Sequence, residues 1–349
     1  MPRPAPSLGR SSFGTFGSED LNQMVSERPV TVTVPARLHL GFLDLNGGLG
    51  RRFGGLGLAI DTFRTRVRIR RAATTRIIGA ERERVAAHVE AMRQVLQRDD
   101  AYHVEVLENV PAHAGFGSGT QIALAVAACM RRLYDLPLEI AADAITLGRG
   151  TRSGLGVGLF QHGGLAVDGG RGALERPAPI ISRLPFPEAW RVLVVLDPAR
   201  QGTHGTDELA AFGALGAFPG EDAAHLCRLV LMKALPALAE HDIANFGAAI
   251  AELQARLGDH FAAAQGGARF TSPAVAATLA AMERAGAHGV GQSSWGPTGF
   301  CFAPSQAEAE GLIAAAGAHA RGLDIRICRG LNRGAEIEAH AVAHAPEQS

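Results

Sequence analysis

Residues 111–121 read Pro-Ala-His-Ala-Gly-Phe-Gly-Ser-Gly-Thr-Gln, and their setting governs the rest of the chain. Before them stands the strand-like YHVEVLENV (102–110); after them comes the small-residue run IALAVAACMRRL (122–133), which reads as a helix. A glycine turn between strand and helix is a ready anion site, because glycine lets backbone N–H groups come close and the helix N-terminus adds partial positive charge. Gly115, Gly117, Ser118, Gly119, Thr120 and Gln121 are therefore candidate phosphate-binding residues, although the same residues also suit an ordinary capped turn. The spacing is GxGxG, which is neither the GxGxxG of a dinucleotide fold nor a loop ending in Lys-Ser/Thr, so NAD and a P-loop nucleotide site are not expected. Lys233 is the only lysine of the 349-residue chain and lies in the apolar run 229–238. A pyridoxal or Schiff-base enzyme would have to use that lysine, in a run that reads as core helix, and is not expected.

Two other segments concentrate polar groups at bends. In 35–52, PARLHLGFLDLNGGLGRR, Arg37 and His39 fall on one strand face, and Asp44 stands near a glycine turn followed by Arg51 and Arg52. An arginine fork suits phosphate or carboxylate, and a carboxylate can stabilise a cation or bind a metal. In 291–298, GQSSWGPT, the residues Gln292, Ser293, Ser294, Trp295 and Thr298 share one turn between apolar strands, more than a hairpin needs. Arg64, Arg66, Arg68 and Arg70 alternate along another strand. With aromatics at 5%, the solvated side of a half-buried sheet is favoured there over a polyanion-binding face.

Composition narrows the classes further. Lys+Arg and Asp+Glu are both 34, so the chain has no bulk charge with which to grip nucleic acid or a membrane surface. Hydrophobic residues make up 47%, enough for a large core, and no apolar run reaches membrane-spanning length. A cytoplasmic protein is expected. Its four cysteines are widely spaced, and its thirteen histidines contain no HExxH, so neither disulfides nor a zinc site is anticipated.

Residues 1–28 read as a disordered leader and 341–349 as a tail. Between them, helices are predicted over 81–97 and 140–147, a glycine loop over RGTRSGLGVGLF (149–160), and a hairpin at HGGLAVDGG (162–170). A strand begins at Trp190, the polar turn RQGTHGTDE (200–208) follows, and Ala/Leu-rich helices dominate beyond Asp222. The pattern predicts an α+β protein of two lobes, divided as 29–200 and 201–340.

Three of these segments together resemble the GHMP superfamily of small-molecule kinases and their relatives. PAHAGFGSGTQ is similar to its Pro-x-x-x-Gly-Leu-Gly-Ser-Ser phosphate loop, PARLHLGFLDL to its first motif, and GQSSWGPTGF to its third. Within the superfamily the resemblance is closest to the β-ribofuranosylaminobenzene 5′-phosphate synthases, a non-kinase branch, through RLHLGFLDLNGGLGR, FGGLGLAID, GLFQHGGLAVDGG and LMKALPALAEHDIANFG. Gly119 in place of the loop's second serine, and Trp295 inside the third motif, favour the synthases over the kinases. The stretch GTHGTDE is similar to their Gly-Leu-Ser-Gly-x-x-Glu but has Thr203 and His204 at the Leu and Ser places while retaining Glu208.

This resemblance implies a GHMP-type two-lobe fold, ribosomal-protein-S5-domain-2-like in the N-terminal lobe and ferredoxin-like in the C-terminal lobe. It implies condensation of 5-phosphoribosyl 1-diphosphate with 4-aminobenzoate to a C-riboside, with loss of CO2 and diphosphate, in tetrahydromethanopterin biosynthesis. Magnesium is the implied cofactor, with Ser118 a candidate ligand, and a homodimer is the implied assembly. Asp44, Arg51 and Glu208 are the implied catalytic residues. Arg37, His39, the phosphate loop, Ser153 and the third-motif residues would bind substrate, with Trp295 stacking on the aromatic ring. The competing readings are an ATP-dependent GHMP kinase and a non-catalytic relative that binds a phosphometabolite.

Overall fold

The computed structural model describes residues 28–111, 114–174, 176–202, 213 and 215–339. The leader up to residue 27, Glu208 and the tail 341–349 lie outside the described residues. Two long antiparallel strands form the spine, β1 (Val30–Asp44) and β2 (Phe53–Ala72). Pro35 marks a register shift within one continuous strand, as suits a residue with no N–H to give the ladder. In the arginine-rich half of β2, Val67 and Ile69 are buried, and the intervening arginines meet carboxylates on neighbouring strands. Arg64 pairs with Glu108 at 2.8 Å, Arg68 with Glu105 at 3.7 Å and Arg66 with Glu338 at 4.0 Å. The stripe is a solvated face.

After β3 (Arg76–Ile78) come α1 (Arg82–Leu96), β4 (Ala101–Glu108), α2 (Ser118–Leu133) and α3 (Ile140–Thr146). The next segment differs from the predicted glycine loop: Leu155–His162 is a helix, α4. Its glycines serve packing rather than turning. A Cβ on Gly156 would stand 2.6 Å from Thr120, and one on Gly158 would run into Ile180. Strands β5 (Leu165–Asp168) and β6 (Ile180–Leu184) complete a seven-stranded sheet in the order β11-β1-β2-β4-β3, with β5 on β2 and β6 on β5. Helix α2, buried along most of its length by small side chains, packs against β1 and β2.

A second, four-stranded antiparallel sheet has the order β10-β7-β9-β8. It is built from β7 (Arg191–Leu196), β8 (His288–Gln292), β9 (Gly299–Ala303) and β10 (Asp324–Cys328). Helices α5 (Gly220–Leu229), α6 (Leu235–Ala239) and α7 (Ile243–Ala262) precede β8, as does α8 (Pro273–Arg284); α9 (Gln306–Ala316) follows β9. The sheets are not contiguous in sequence, because the closing strand β11 (Glu336–Ala339) returns to pair with β1. One core spans both: Leu38 and Leu40 of β1, Leu253 of α7 and Phe300 of β9 belong to a single buried cluster. Gly41 of β1, at φ +144°, has Leu253 and Leu257 of α7 within 2.9 Å of where a Cβ would stand, so α7 seats directly on β1. No helix among the described residues is long and apolar enough to cross a membrane.

Candidate active site between the two sheets

The glycine turn before α2 has the conformation its sequence demands. Gly115 and Gly117 adopt φ +84° and +76°, in the left-handed region that favours glycine. No side chain caps the helix, and no acceptor among the described residues bonds the N–H groups of Ser118 or Gly119. The capped-turn alternative is therefore not what is built; the helix start presents free donors. Arg37 of β1 lies over Gly117, in the space a Cβ would take.

One hydroxyl joins the three motifs. Ser293 accepts from the His39 N–H at 3.0 Å and donates to the Gly115 carbonyl at 2.9 Å. Gln121 locks the loop from the other side, donating to the carbonyls of Pro35 at 2.7 Å and Phe116 at 3.2 Å and accepting from Thr65 at 3.2 Å. Its amide is occupied in holding the turn against β1. Gln292 is similarly engaged, accepting from the Thr271 N–H at 2.8 Å and donating to Gln265 at 2.9 Å. Its own N–H donates to Gln254 of α7, a residue with no local pattern to mark it in the sequence.

Between these elements lies a cleft walled by His39, Phe42, Gln254, Phe261, Ser294 and Trp295. Trp295 is 4% exposed and packs on Phe261 at 4.8 Å, a buried wall rather than a projecting ring. Ser294, at φ +54°, shapes the turn, and Thr298 is wholly buried. His39 is the buried titratable group here. Burial first, then the charges of Arg37 and Arg152, push its pKa down to about 3, so the imidazole is neutral at physiological pH. Its Nε2 has no hydrogen-bond partner among the described residues.

Asp44 and Arg51 sit on a neighbouring pocket with Phe53, Gly54 and Asp168. Asp44 Oδ1 accepts from the Asn46 and Gly47 N–H groups, each at 2.8 Å, forming the turn that ends β1. Arg51 reaches across to the carbonyls of Gly169 at 2.7 Å and Gly170 at 2.6 Å. Asp168, which reads in sequence as a plain turn residue, is fully buried and accepts from Ser153 Oγ at 2.6 Å and from the N–H groups of Gly154 and Gly170. Burial raises its pKa against the lowering effect of those bonds. Ser153 thereby anchors the start of α4. His39 Nε2 and Asp168 Oδ2 both stand 3.3 Å from where a Cβ on Gly55 would be, so a glycine there lets the two pockets meet.

The fit for magnesium is limited. Among the described residues no three acidic, histidine or cysteine side chains stand together as a metal site. The Ser118 hydroxyl at the helix start is a lone candidate ligand, and an ion there would need its remaining ligands from substrate oxygens and water. Glu208, the third expected catalytic residue, lies outside the described residues.

The two sheets, the glycine turn at the start of α2 and the cleft beneath it are those of the GHMP superfamily. The chain matches the GHMP kinases N terminal domain over residues 83–164 and the GHMP kinases C terminal region over 234–322. Homoserine kinase from Cytophaga hutchinsonii superposes with a TM-score of 0.62 at 16% identity, covering 89% of this chain and 97% of that one. Mevalonate diphosphate decarboxylase from Staphylococcus aureus gives 0.63 at 14%, covering 89% and 98%. At such identities the likeness is one of fold. Sequence relatives are more specific. The beta-ribofuranosylphenol 5′-phosphate synthase of Methanothermobacter thermautotrophicus is 32% identical over 327 residues, 87% of this chain and 97% of the relative. That of Archaeoglobus fulgidus is 37% identical over 232 residues, 63% of this chain and 74% of the relative. The chain belongs to this synthase family and is an enzyme of pentosyl transfer.

Proposed function

We propose that the enzyme condenses 5-phosphoribosyl 1-diphosphate with 4-aminobenzoate, releasing diphosphate and CO2 and leaving a C-linked riboside 5′-phosphate for tetrahydromethanopterin biosynthesis. The observation that supports this most is the bonding of first motif, glycine turn and third motif through Ser293. It ties the start of α2, where the N–H groups of Ser118 and Gly119 have no acceptor among the described residues and the Arg37 guanidinium lies over Gly117, to His39 at the cleft wall. The C1–O bond to diphosphate breaks heterolytically, and those donors stabilise the departing charge. The ring carbon bearing the carboxylate then attacks the oxocarbenium-like C1, aided by electron donation from the para substituent. Cleavage of the C–CO2 bond returns its electron pair to the ring, so no proton or redox partner is needed. Asp44 stabilises the cationic sugar, and Arg51 neutralises the acceptor's carboxylate or a phosphate. Magnesium would accompany the diphosphate near Ser118, shielding its charge.

The relatives are named for a ribosylphenol, which favours 4-hydroxybenzoate as an acceptor to be tested beside 4-aminobenzoate. The test is incubation with 5-phosphoribosyl 1-diphosphate, magnesium and each carboxyl-labelled acceptor, reading labelled CO2 and product mass. Label release with a decarboxylated ribosyl product is the expected result, and the faster acceptor identifies the substrate. ATP consumption with a small alcohol and no label release would instead assign a kinase.

A further inference from the structure

Where Gly115 abuts Ser293, Gly119 abuts a different residue: a Cβ there would stand 3.0 Å from Arg149 Nη1. Arg149 opens a second pocket, lined also by Ile145, Gly150, Thr151, Arg171 and Arg176, with no residue in common with the cleft of His39 and Trp295. Three of its six described lining residues are arginines, and none of those six is acidic. Among the described residues, no carboxylate forms an ion pair with any of the three. Arg149 Nε is shielded from solvent and has no hydrogen-bond partner among the described residues. Behind it on α1, His88 is 6% exposed and its Nε2 is likewise unpartnered. Burial, then Arg149 and Arg84, hold the His88 pKa down at about 4, a sign of how positive this corner is. The walls are fixed: Gly150, at φ +78°, has Pro177 2.9 Å from its Cβ position, and Gly154 is pressed against the Ala178 carbonyl.

Three arginine forks on one pocket, with no acid among the described lining residues, suit a phosphate dianion and repel a metal ion. The donor carries two such groups, a diphosphate at the reacting carbon and a monoester at the other end of the ribose. We propose that the Arg149–Arg171–Arg176 pocket holds the 5-phosphate monoester, while the turn at Gly115–Ser118 and Arg37 take the diphosphate. This rests on the donor assigned under Proposed function. The diphosphate must leave beside the acceptor, and Gly115 is the part of the turn bonded to Ser293, between the cleft residues Gln292 and Ser294. The unreactive monoester takes the outlying pocket, where its binding holds C1 over the acceptor.

Calorimetric titration of the full chain with ribose 5-phosphate, inorganic phosphate and inorganic diphosphate tests the assignment. Arg171 and Arg176 are exposed, so R171Q and R176Q should fold normally. The R171Q/R176Q double variant is expected to bind ribose 5-phosphate about tenfold or more weakly, with diphosphate affinity kept within roughly twofold. Its KM for the donor should rise by a comparable factor. Unchanged ribose 5-phosphate affinity, or an equal loss for diphosphate, would overturn the proposal. Inorganic phosphate binding as tightly as ribose 5-phosphate at these arginines would also overturn it, since the pocket would then read free phosphate. If wild type binds ribose 5-phosphate through these arginines yet releases no CO2 from either acceptor, the reaction proposed above fails and the monoester site stands.

Discussion

The cleft walled by His39 and Trp295 and the pocket holding Asp44 and Arg51 meet at the Phe42–Phe53 pair, 5.8 Å between ring centres, yet they are built on opposite terms. In the cleft, polar side chains are committed to other protein groups: Ser293 to two backbone partners, Gln292 to the Thr271 N–H, and Gln254 to the Gln292 N–H and the Leu40 carbonyl of β1. Its histidine is kept neutral. The pocket is lined instead by charged groups: Asp44, whose carboxylate uses one oxygen for its own turn, Arg51, which holds two carbonyls, and buried Asp168. The first region fixes shape, and the second supplies charge. Damage to the first should therefore show in stability and turnover together, and damage to the second in turnover alone.

The largest effect is expected where shape and charge coincide. Gly117→Ala forces a Cβ into left-handed backbone at φ +76° and into the space of the Arg37 guanidinium. Measured as kcat/KM for CO2 release, the loss should be about 100-fold or more, which is roughly 2.7 kcal/mol of transition-state stabilisation. Gly311→Ala, on the surface of α9 with open space around its Cβ position, is the matched control and should leave turnover unchanged. Equal behaviour of the two variants would remove the turn from the mechanism.

Ser293→Ala and Asp44→Asn separate the regions. Removing the Ser293 hydroxyl leaves the His39 N–H and Gly115 carbonyl without their partner, at a cost of about 1–3 kcal/mol in unfolding free energy, and turnover should fall with it. Asparagine at position 44 keeps the oxygen that holds the Asn46 and Gly47 N–H groups, so thermal stability should be unchanged. The lost negative charge should lower kcat about tenfold with little change in KM. Full turnover in Asp44→Asn would take the cation-stabilising role away from this carboxylate.

The cleft's neutral histidine gives a pH test. His39 titrates at about 3 and His88 at about 4 in the fold, against 6.5 in an ordinary setting. Both values are depressed, so below pH 6.5 the unfolded chain takes up protons that the native one refuses. Stability is full above that pH and is lost as pH falls. Each histidine should contribute about 1 kcal/mol of loss between pH 6.5 and 5.5. Urea unfolding at both pH values should show a smaller drop in His39→Gln than in wild type by about that amount; equal drops would mean His39 is not held neutral.

Legibility in the sequence followed the range of the signal. The glycine turn, the Arg37–His39 face and the Gln292–Thr298 bend are local patterns, and the fold joins them through the Ser293 hydroxyl, which bonds the His39 N–H and the Gly115 carbonyl. Asp168 gave no local sign, because its role depends on Ser153 and Gly154 approaching from a preceding loop. Gln254 is one polar residue on an amphipathic helix until β8 is laid beside it. Helix α4 reads as a loop because glycine usually marks turns, whereas Gly156 and Gly158 are there to admit Thr120 and Ile180. Arg149 sits in RGTRSG, where it and Arg152 flank Gly150-Thr151, but the meaning of that pattern required knowing that the segment lies against Gly119.

The smallest expected effect concerns charge that belongs to neither region. Arg64 and Glu108 are 2.8 Å apart with side chains 54% and 40% exposed, so water screens both ions and the long side chains lose rotamer freedom in pairing. Arg64→Gln should change unfolding free energy by no more than about 0.5 kcal/mol and leave CO2 release as it was. Three of the stripe's four arginines, Arg64, Arg66 and Arg68, meet carboxylates on neighbouring strands, whereas Arg149, Arg171 and Arg176 meet none among the described residues. A large loss of turnover in Arg64→Gln would mean that acid pairing on the surface does not distinguish structural arginines from substrate-binding ones in this protein.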